Sequence, residues 1–293
     1  MRVLVYGGNG QVGYCLNEEA QRRGISCLAT FRPQVDVTNP ESVRDVAIQF
    51  QPSIIINATA YTQVDKAESD YETALKVNRD AAANLASIAS DLGVPFLHIS
   101  TDYVFDGTGD GFYREEDKTN PVNAYGRSKL AGEQAVLVAC ERSIILRTSW
   151  VFGRHGANFV KTMLRLFQSR EELSVVGDQI GGPTFAGDIA CALLDIASYL
   201  ESHKDFNNWG IYNFSGSPVV SWYDFAVAIR EAADKAQIKL SLKNLKKITS
   251  CDYPTPAKRP SNSRLCLDKI KLLGINPGDW QKEISENISA YLS

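Results

Sequence analysis

The chain is poor in the residues that mark metal and disulfide chemistry. Its six cysteines, at positions 15, 27, 140, 191, 251 and 266, form no Cys-x-x-Cys pair, and its three histidines stand equally apart. Such scatter argues against a zinc site or a disulfide framework and fits reduced, buried thiols. No apolar run approaches the roughly 18 residues of a membrane span. An excess of positive charge is also missing: 31 Lys plus Arg stand against 34 Asp plus Glu. Neither nucleic acid nor an anionic membrane therefore has an electrostatic claim on this protein. The first apolar run meets Gly7 and Gly8 too early for a signal peptide. A soluble, cytoplasmic monomer or homodimer is expected.

What is present is alternation. "RVLVYG" reads as a buried strand, followed by a helix through "VGYCLNEEAQRRG" that stops at Gly24. "ISCLAT" is a second strand, and "NPESVRDVAIQF" is a helix with Asn39 as cap and Pro40 in its first turn. "SIIIN" is a third strand, apolar until its end, as when helices cover both faces. A long helix from Asp70 to Leu92, the strand "PFLHIS", a helix opening near Tyr125 and the strand "SIILRT" continue the rhythm. Five such alternations predict an α/β, Rossmann-like doubly wound parallel sheet. After Trp150, Gly- and Pro-rich loops separate helices at about 158–170, 187–200, 221–236 and 279–292. The expected division is a dinucleotide-binding domain over 1–155 and a smaller, loop-rich substrate domain over 156–293, with the chain returning to the sheet around 187–214.

"YGGNGQVG" sets Gly7, Gly10 and Gly13 between the first strand and the first helix. It parses as G-x-x-G-x-x-G from Gly7 or as G-x-G-x-x-G from Gly8. Glycines there permit a tight turn and let backbone N–H groups approach a pyrophosphate at the helix N-terminus. The strand–turn–helix context makes dinucleotide binding the reading.

Ligands of open parallel sheets collect at the carboxyl ends of the strands. Those ends read "NATAYT", "STDYVFDG" and "RTSWVFG". Helix capping accounts for many of the Asn, Ser, Thr and Asp residues, but less well for Tyr103, Phe105, Trp150 and Phe152 in loops. Within "NAYGRSKLAGE", Tyr125 and Lys129 are four apart and share a helix face. That is either an ordinary half-exposed face or a proton-donating phenol beside a cation.

The glycine loop, Ser100-Thr101 after strand four and the later Tyr-x-x-x-Lys together resemble the extended short-chain dehydrogenase/reductases. The segments "VDKAES", "STDYVFDG", "YGRSKLAGE", "RTSWVFG", "NFVKTMLRL", "GDQIGGPT" and "PTPAKRPSNSRL" extend the likeness to sugar-nucleotide reductases over essentially the whole chain. The resemblance implies Tyr125 as proton donor, with Lys129 holding the nicotinamide ribose and biasing the phenol. Thr101 would donate a hydrogen bond to the substrate carbonyl. It places Gly10, Gln11 and Val12 at the pyrophosphate, Asp36 and Val37 near the adenine, and Ala60, Tyr61 and Thr62 along the cofactor channel. Thr101, Asp102 and Trp150 match substrate-contacting positions. Arg259 is a candidate for the nucleotide diphosphate, because a guanidinium binds phosphate in bidentate fashion; a solvent-facing loop arginine is the alternative.

The implied activity is NADPH-dependent reduction of the 4-keto group of dTDP-4-dehydro-β-L-rhamnose to dTDP-β-L-rhamnose, a cell-surface polysaccharide precursor. Two alternatives stand beside it: reduction of another dTDP-4-keto-6-deoxysugar, and a non-catalytic NADP-binding regulator resembling the methionine adenosyltransferase β subunit. NADPH over NADH is expected because strand two ends in Thr30, where NAD-specific folds carry an acid, and Arg32 follows. NADH remains possible. Some relatives dimerise around magnesium held by glutamates, one just after the glycine loop and one shortly after G-x-P-T. Cys15 and Gly187 occupy those places here, so magnesium is doubtful and no metal is expected.

Overall fold

The computed structural model describes residues 1–32 and 34–292. Its centre is a six-stranded, all-parallel sheet. The first five strands are β1 (Arg2–Tyr6), β2 (Ser26–Thr30), β3 (Ile54–Asn57), β4 (Phe96–Thr101) and β5 (Ser143–Thr148). The spatial order is β2, β1, β3, β4, β5, and then Gly210–Asn213, which returns to pair with β5. Strand order reverses between β1 and β3, so a crevice opens at their carboxyl ends.

Both faces of the sheet are covered. Helix α1 (Gln11–Arg22) and the Ala186–Ser202 helix bury one face around Leu16, Ile56, Leu146 and Leu193. Helix α2 (Pro40–Phe50), the Ala82–Asp91 helix and the Ala124–Ala139 helix bury the other around Leu4, Ile55, Leu85 and Ile145. Each such side chain contributes about 1.5–3 kcal/mol of transfer free energy, which is why β3 and β5 are apolar on both faces. A third core gathers the Phe159–Ser169, Trp222–Lys235 and Trp280–Asn287 helices around Phe152, Phe167, Phe225 and Trp280. Short strands absent from the sequence reading stitch this region together, among them Glu172–Val176 paired with Asn244–Ile248.

The helix expected from Asp70 to Leu92 runs from Tyr71 to Asp91 but widens into a π-helical turn over Lys76–Ala81. The buried Asn78 is the reason this turn matters. Its amide bonds both the N–H and the carbonyl of Tyr61, at 2.8 and 3.2 Å, and also the Ser128 hydroxyl at 2.9 Å. One side chain thus ties the loop after β3 to the helix that carries Tyr125.

Midway along that helix, Glu133 receives Arg147 of β5 in a bidentate ion pair at 2.7 and 2.9 Å, both side chains 2% exposed. Removing one partner of a buried pair strands the other charge. Glu133→Ala is therefore expected to cost about 3–5 kcal/mol of folding stability, read as the drop in unfolding free energy on urea titration.

Candidate active site

The crevice is built by what two glycines allow. Gly7 leaves β1 with φ +98°, and a Cβ there would lie 2.8 Å from the Ala58 carbonyl. Gly13 opens α1 so close to the loop that a Cβ would lie 2.0 Å from the Gly7 oxygen. The loop is pinned by Gly7 and Gly8 N–H groups donating to the Thr30 carbonyl at 3.0 and 2.7 Å. α1 begins with no side-chain cap and no acid in its first turn, which leaves its N–H groups and dipole for an anion.

A cleft of about 480 Å³ opens at this point. Gly7 and Gly10 form its floor, Thr30, Arg32 and Val37 one wall, and Ala60, Tyr61 and Thr62 the other. Thr30 turns its hydroxyl to the Val5 carbonyl at 3.3 Å, so it offers no charge to the cleft. Exposed Arg32 supplies positive charge at the wall that Thr30 shares. Asn9, Phe31 and Lys66 also line the cleft and were not singled out from the sequence. These residues fit a dinucleotide phosphate: backbone donors, a loop too tight for a Cβ at Gly7 or Gly13, and guanidinium at the edge.

Three residues assigned by resemblance to the cofactor turn their side chains away from the cleft. The Gln11 side chain turns away and accepts from Asn158 Nδ2 at 3.1 Å. Val12 is packed into the core beneath the loop. Asp36 accepts from the Thr38 N–H and hydroxyl, both at 2.9 Å, bonds that hold its carboxyl below the usual range. In each case the position is near the cleft, but local hydrogen bonding or packing claims the side chain.

Thr101 ends β4. Its hydroxyl donates to Asp102 Oδ1 at 3.0 Å and accepts from the Tyr103 N–H at 3.2 Å. Tyr125 and Lys129 occupy the first two turns of the Ala124–Ala139 helix, where Asn123 caps the Gly126 N–H at 2.7 Å. The Tyr125 ring stands edge-on to Tyr103 at 5.6 Å and packs in one cluster with Tyr61 from the cleft wall. Lys129 is 1% exposed and donates to the Ile99 carbonyl at 2.7 Å.

Burial raises the Tyr125 phenol above its usual range, with a Thr101 hydrogen bond pulling it back and Asp102 adding to the rise. Burial pushes Lys129 down to about 8, opposed by Glu133. The phenol made more acidic by Lys129, expected from the sequence, is not what the structure holds. The ammonium points at β4, and loss of water dominates at both groups.

Toward the second region, Asp102 is buried and its carboxyl is pushed up to about 6 by that burial, partly offset by the Ser263 and Thr101 hydroxyls. Trp150 stacks on Trp222 at 3.6 Å and 9°, with its backbone at φ +48°. A bulky residue in the left-handed region is strained and is held there by its surroundings. Arg259 is neither solvent-facing nor unengaged: it binds Asp65 in bidentate fashion at 2.8 and 3.2 Å. Asp65 and Trp222 were not foreseen, since nothing local in the sequence links them to residues 194 and 72 positions away.

The sequence matches the family described as RmlD substrate binding domain over residues 1–293. The chain belongs to this family. It is similar to dTDP-4-dehydrorhamnose reductase of Aggregatibacter actinomycetemcomitans, 46% identical over 292 residues and 99% of each chain. The enzyme of that name from Sinorhizobium fredii is 45% identical, covering 100% of this chain and 98% of its own. Among solved structures, dTDP-4-dehydrorhamnose reductase from Bacillus anthracis in complex with NADP aligns with a TM-score of 0.87 at 35% identity, covering 97% of both chains.

At the two positions the resemblance matched to metal-binding glutamates, burial pushes the Cys15 thiol up to about 12. A Cβ on Gly187 would already lie 2.3 Å from the Phe185 ring. Glu283, nearby, is held by Arg154 at 3.0 Å. Among the described residues no group of three or more His, Cys, Asp or Glu is placed to hold a metal ion.

The glycine contacts give a direct test of the cleft. Gly13→Ala forces the loop away from α1 and is expected to weaken NADPH binding by at least about tenfold (about 1.4 kcal/mol), read by fluorescence titration, with circular dichroism checking that the fold persists.

Proposed function

We propose that this chain catalyses NADPH-dependent reduction of the 4-keto group of dTDP-4-dehydro-β-L-rhamnose to dTDP-β-L-rhamnose. The observation that carries the reading is the grouping of Thr101, Tyr125 and Lys129 beside a glycine-floored cleft. Relatives of the same name at 46% and 45% identity over nearly full length support it.

NADPH, when bound, supplies the hydride to sugar C4. The two electrons of the carbonyl π bond move to oxygen, where negative charge develops. Thr101 donates a hydrogen bond to that oxygen, and Tyr125 gives it the proton that completes the alcohol. Lys129 would hold the nicotinamide ribose and balance charge beside the phenol. Gly7, Gly10 and the first turn of α1 would hold the pyrophosphate, with Arg32 at the ribose phosphate. Trp150, with Trp222 and the loop bearing Arg259 from residues 156–293, would form the sugar-nucleotide side.

The deciding experiment is loss of NADPH absorbance on addition of dTDP-4-dehydro-β-L-rhamnose, with NMR of the product. No turnover, or turnover only with a different keto-sugar, overturns the assignment. In the same assay Tyr125→Phe removes only the acidic proton, and kcat is expected to fall about 10²- to 10⁴-fold while NADPH affinity stays within about twofold.

Arg32 sets the cofactor preference. A charged hydrogen bond of about 1.5–3 kcal/mol corresponds to a preference for NADPH of about ten- to hundredfold in kcat/KM. Arg32→Ala is expected to erase most of it by weakening NADPH alone. A parent enzyme that uses NADH equally well would remove Arg32 from this role.

A further inference from the structure

A histidine inside a parallel sheet needs a reason. His98 lies in β4, fully buried, and burial together with Lys129 holds its imidazole well below the usual histidine range, so it is neutral. It sits in register with Asn57 of β3. Asn57 Nδ2 is 3.1 Å from His98 Nδ1, and Lys129 Nζ is 3.4 Å from Nε2 on the opposite side.

The direction of these bonds follows from one backbone group. The Thr59 N–H donates to Asn57 Oδ1 at 3.0 Å, and the Thr59 hydroxyl does so at 2.6 Å. A backbone N–H cannot accept, so the Asn57 carbonyl faces Thr59 and its NH₂ faces His98. Nδ1 is then the accepting nitrogen. The single proton of the neutral ring sits on Nε2, aimed at Lys129. An ammonium has three donors and no lone pair, whereas an amine has one. Charged Lys129 therefore meets His98 donor against donor, and neutral Lys129 completes the chain. Other groups around Nζ pull the opposite way. The Ile99 carbonyl of β4 accepts from it, and Glu133, one turn along the helix, favours the ammonium although Arg147 of β5 holds that carboxylate. Tyr125, one turn back, is an uncharged phenol.

We propose that His98, locked in its Nε2–H form by Asn57, is a positioning residue that disfavours the ammonium form of Lys129 and so sets the proton balance beside Tyr125. The inference rests on the reductase reading, in which Tyr125 gives up a proton at each turnover. A lysine poised between its two forms can return that proton to the spent phenolate and be recharged in turn. A permanently charged lysine cannot.

Nitrogen NMR of ¹⁵N-histidine protein at pH 7 reads the tautomer, with the His98 signals identified by their loss in His98→Phe. The expected result is a protonated Nε2 and a bare Nδ1; the reverse sinks the proposal. Asn57→Asp sets an acceptor oxygen against Nδ1, which reverses the tautomer and offers Lys129 a lone pair. The Lys129 midpoint, followed through its ¹³Cε, and the alkaline limb of kcat for the keto-sugar are then expected to rise together by about one pH unit, a tenfold change in proton affinity. A new carboxylate acting by charge alone would raise the midpoint without His98. In a His98→Phe background the same change must move it by less than about half as much, since only the charge of the carboxylate then acts. A midpoint unmoved by tautomer reversal, or a rise undiminished by loss of His98, overturns the proposal. If the chain does not reduce this sugar, the reductase reading falls while both NMR arms, read without substrate, still decide the role of His98. If Asn57→Asp fails to fold, the parent tautomer decides.

Discussion

The interaction on which the site depends is the burial of Lys129. Taking an ammonium out of water costs several kcal/mol even after relaxation, and the side chain is 1% exposed. The compensation comes from three directions: the Ile99 carbonyl, the Glu133 carboxylate, and Arg147, which fixes that carboxylate. None of these works unless the helix is held rigidly against β4 and β5. Hence its first turns are tied down repeatedly, by Asn123 at the cap, by Glu68 on the Ala124 N–H at 2.7 Å and by Asn78 on Ser128. The rigidity that stabilises the lysine also fixes Tyr125 one turn away.

Burial also changes what Thr101 and Asp102 can do. The Thr101 hydroxyl has one proton, for which the Asp102 carboxylate and the Tyr125 oxygen compete. To donate to a sugar carbonyl, Thr101 must leave a carboxylate, a bond of about 1.5–3 kcal/mol. That cost is recovered only as charge develops on the sugar oxygen, so the interaction strengthens toward the transition state rather than in the bound substrate. The raised Asp102 carboxyl works in the same sense. A carboxyl close to protonation accepts more weakly and releases Thr101 more readily.

Much of this was legible in the sequence. The five-strand alternation, the glycine loop and the four-residue spacing of Tyr125 and Lys129 are local patterns, and local patterns survive into the fold. His98 was invisible because one histidine in an apolar strand reads as a core residue. Asn57 was hidden because an asparagine ending a strand reads as a cap. Both acquire their roles only through register between β3 and β4. Asn78 was lost for a different reason: a π turn shifts the helical face and hides the side chain that points inward. Gln11 stands at the opening of α1, where the glycine motif puts it, but the motif carries nothing about the direction of its amide, which Asn158 captured. The short strands after Trp150, several only two residues long, carry no alternation to read.

Asn123 joins the two halves of the site. Its Oδ1 caps the helix that carries Tyr125, and its Nδ2 donates to the Lys258 carbonyl at 2.8 Å. Lys258 adjoins Arg259, whose guanidinium is tied to Asp65 beyond β3. The loop of the second region is therefore bonded to the cap of the Tyr125 helix and to the segment next to the cleft. A helix whose cap is also a loop's anchor cannot move independently of that loop. The distance between Tyr125 and the loop bearing Arg259 is thereby set by folding, and in the proposed reaction substrate binding would not have to supply the free energy to assemble it.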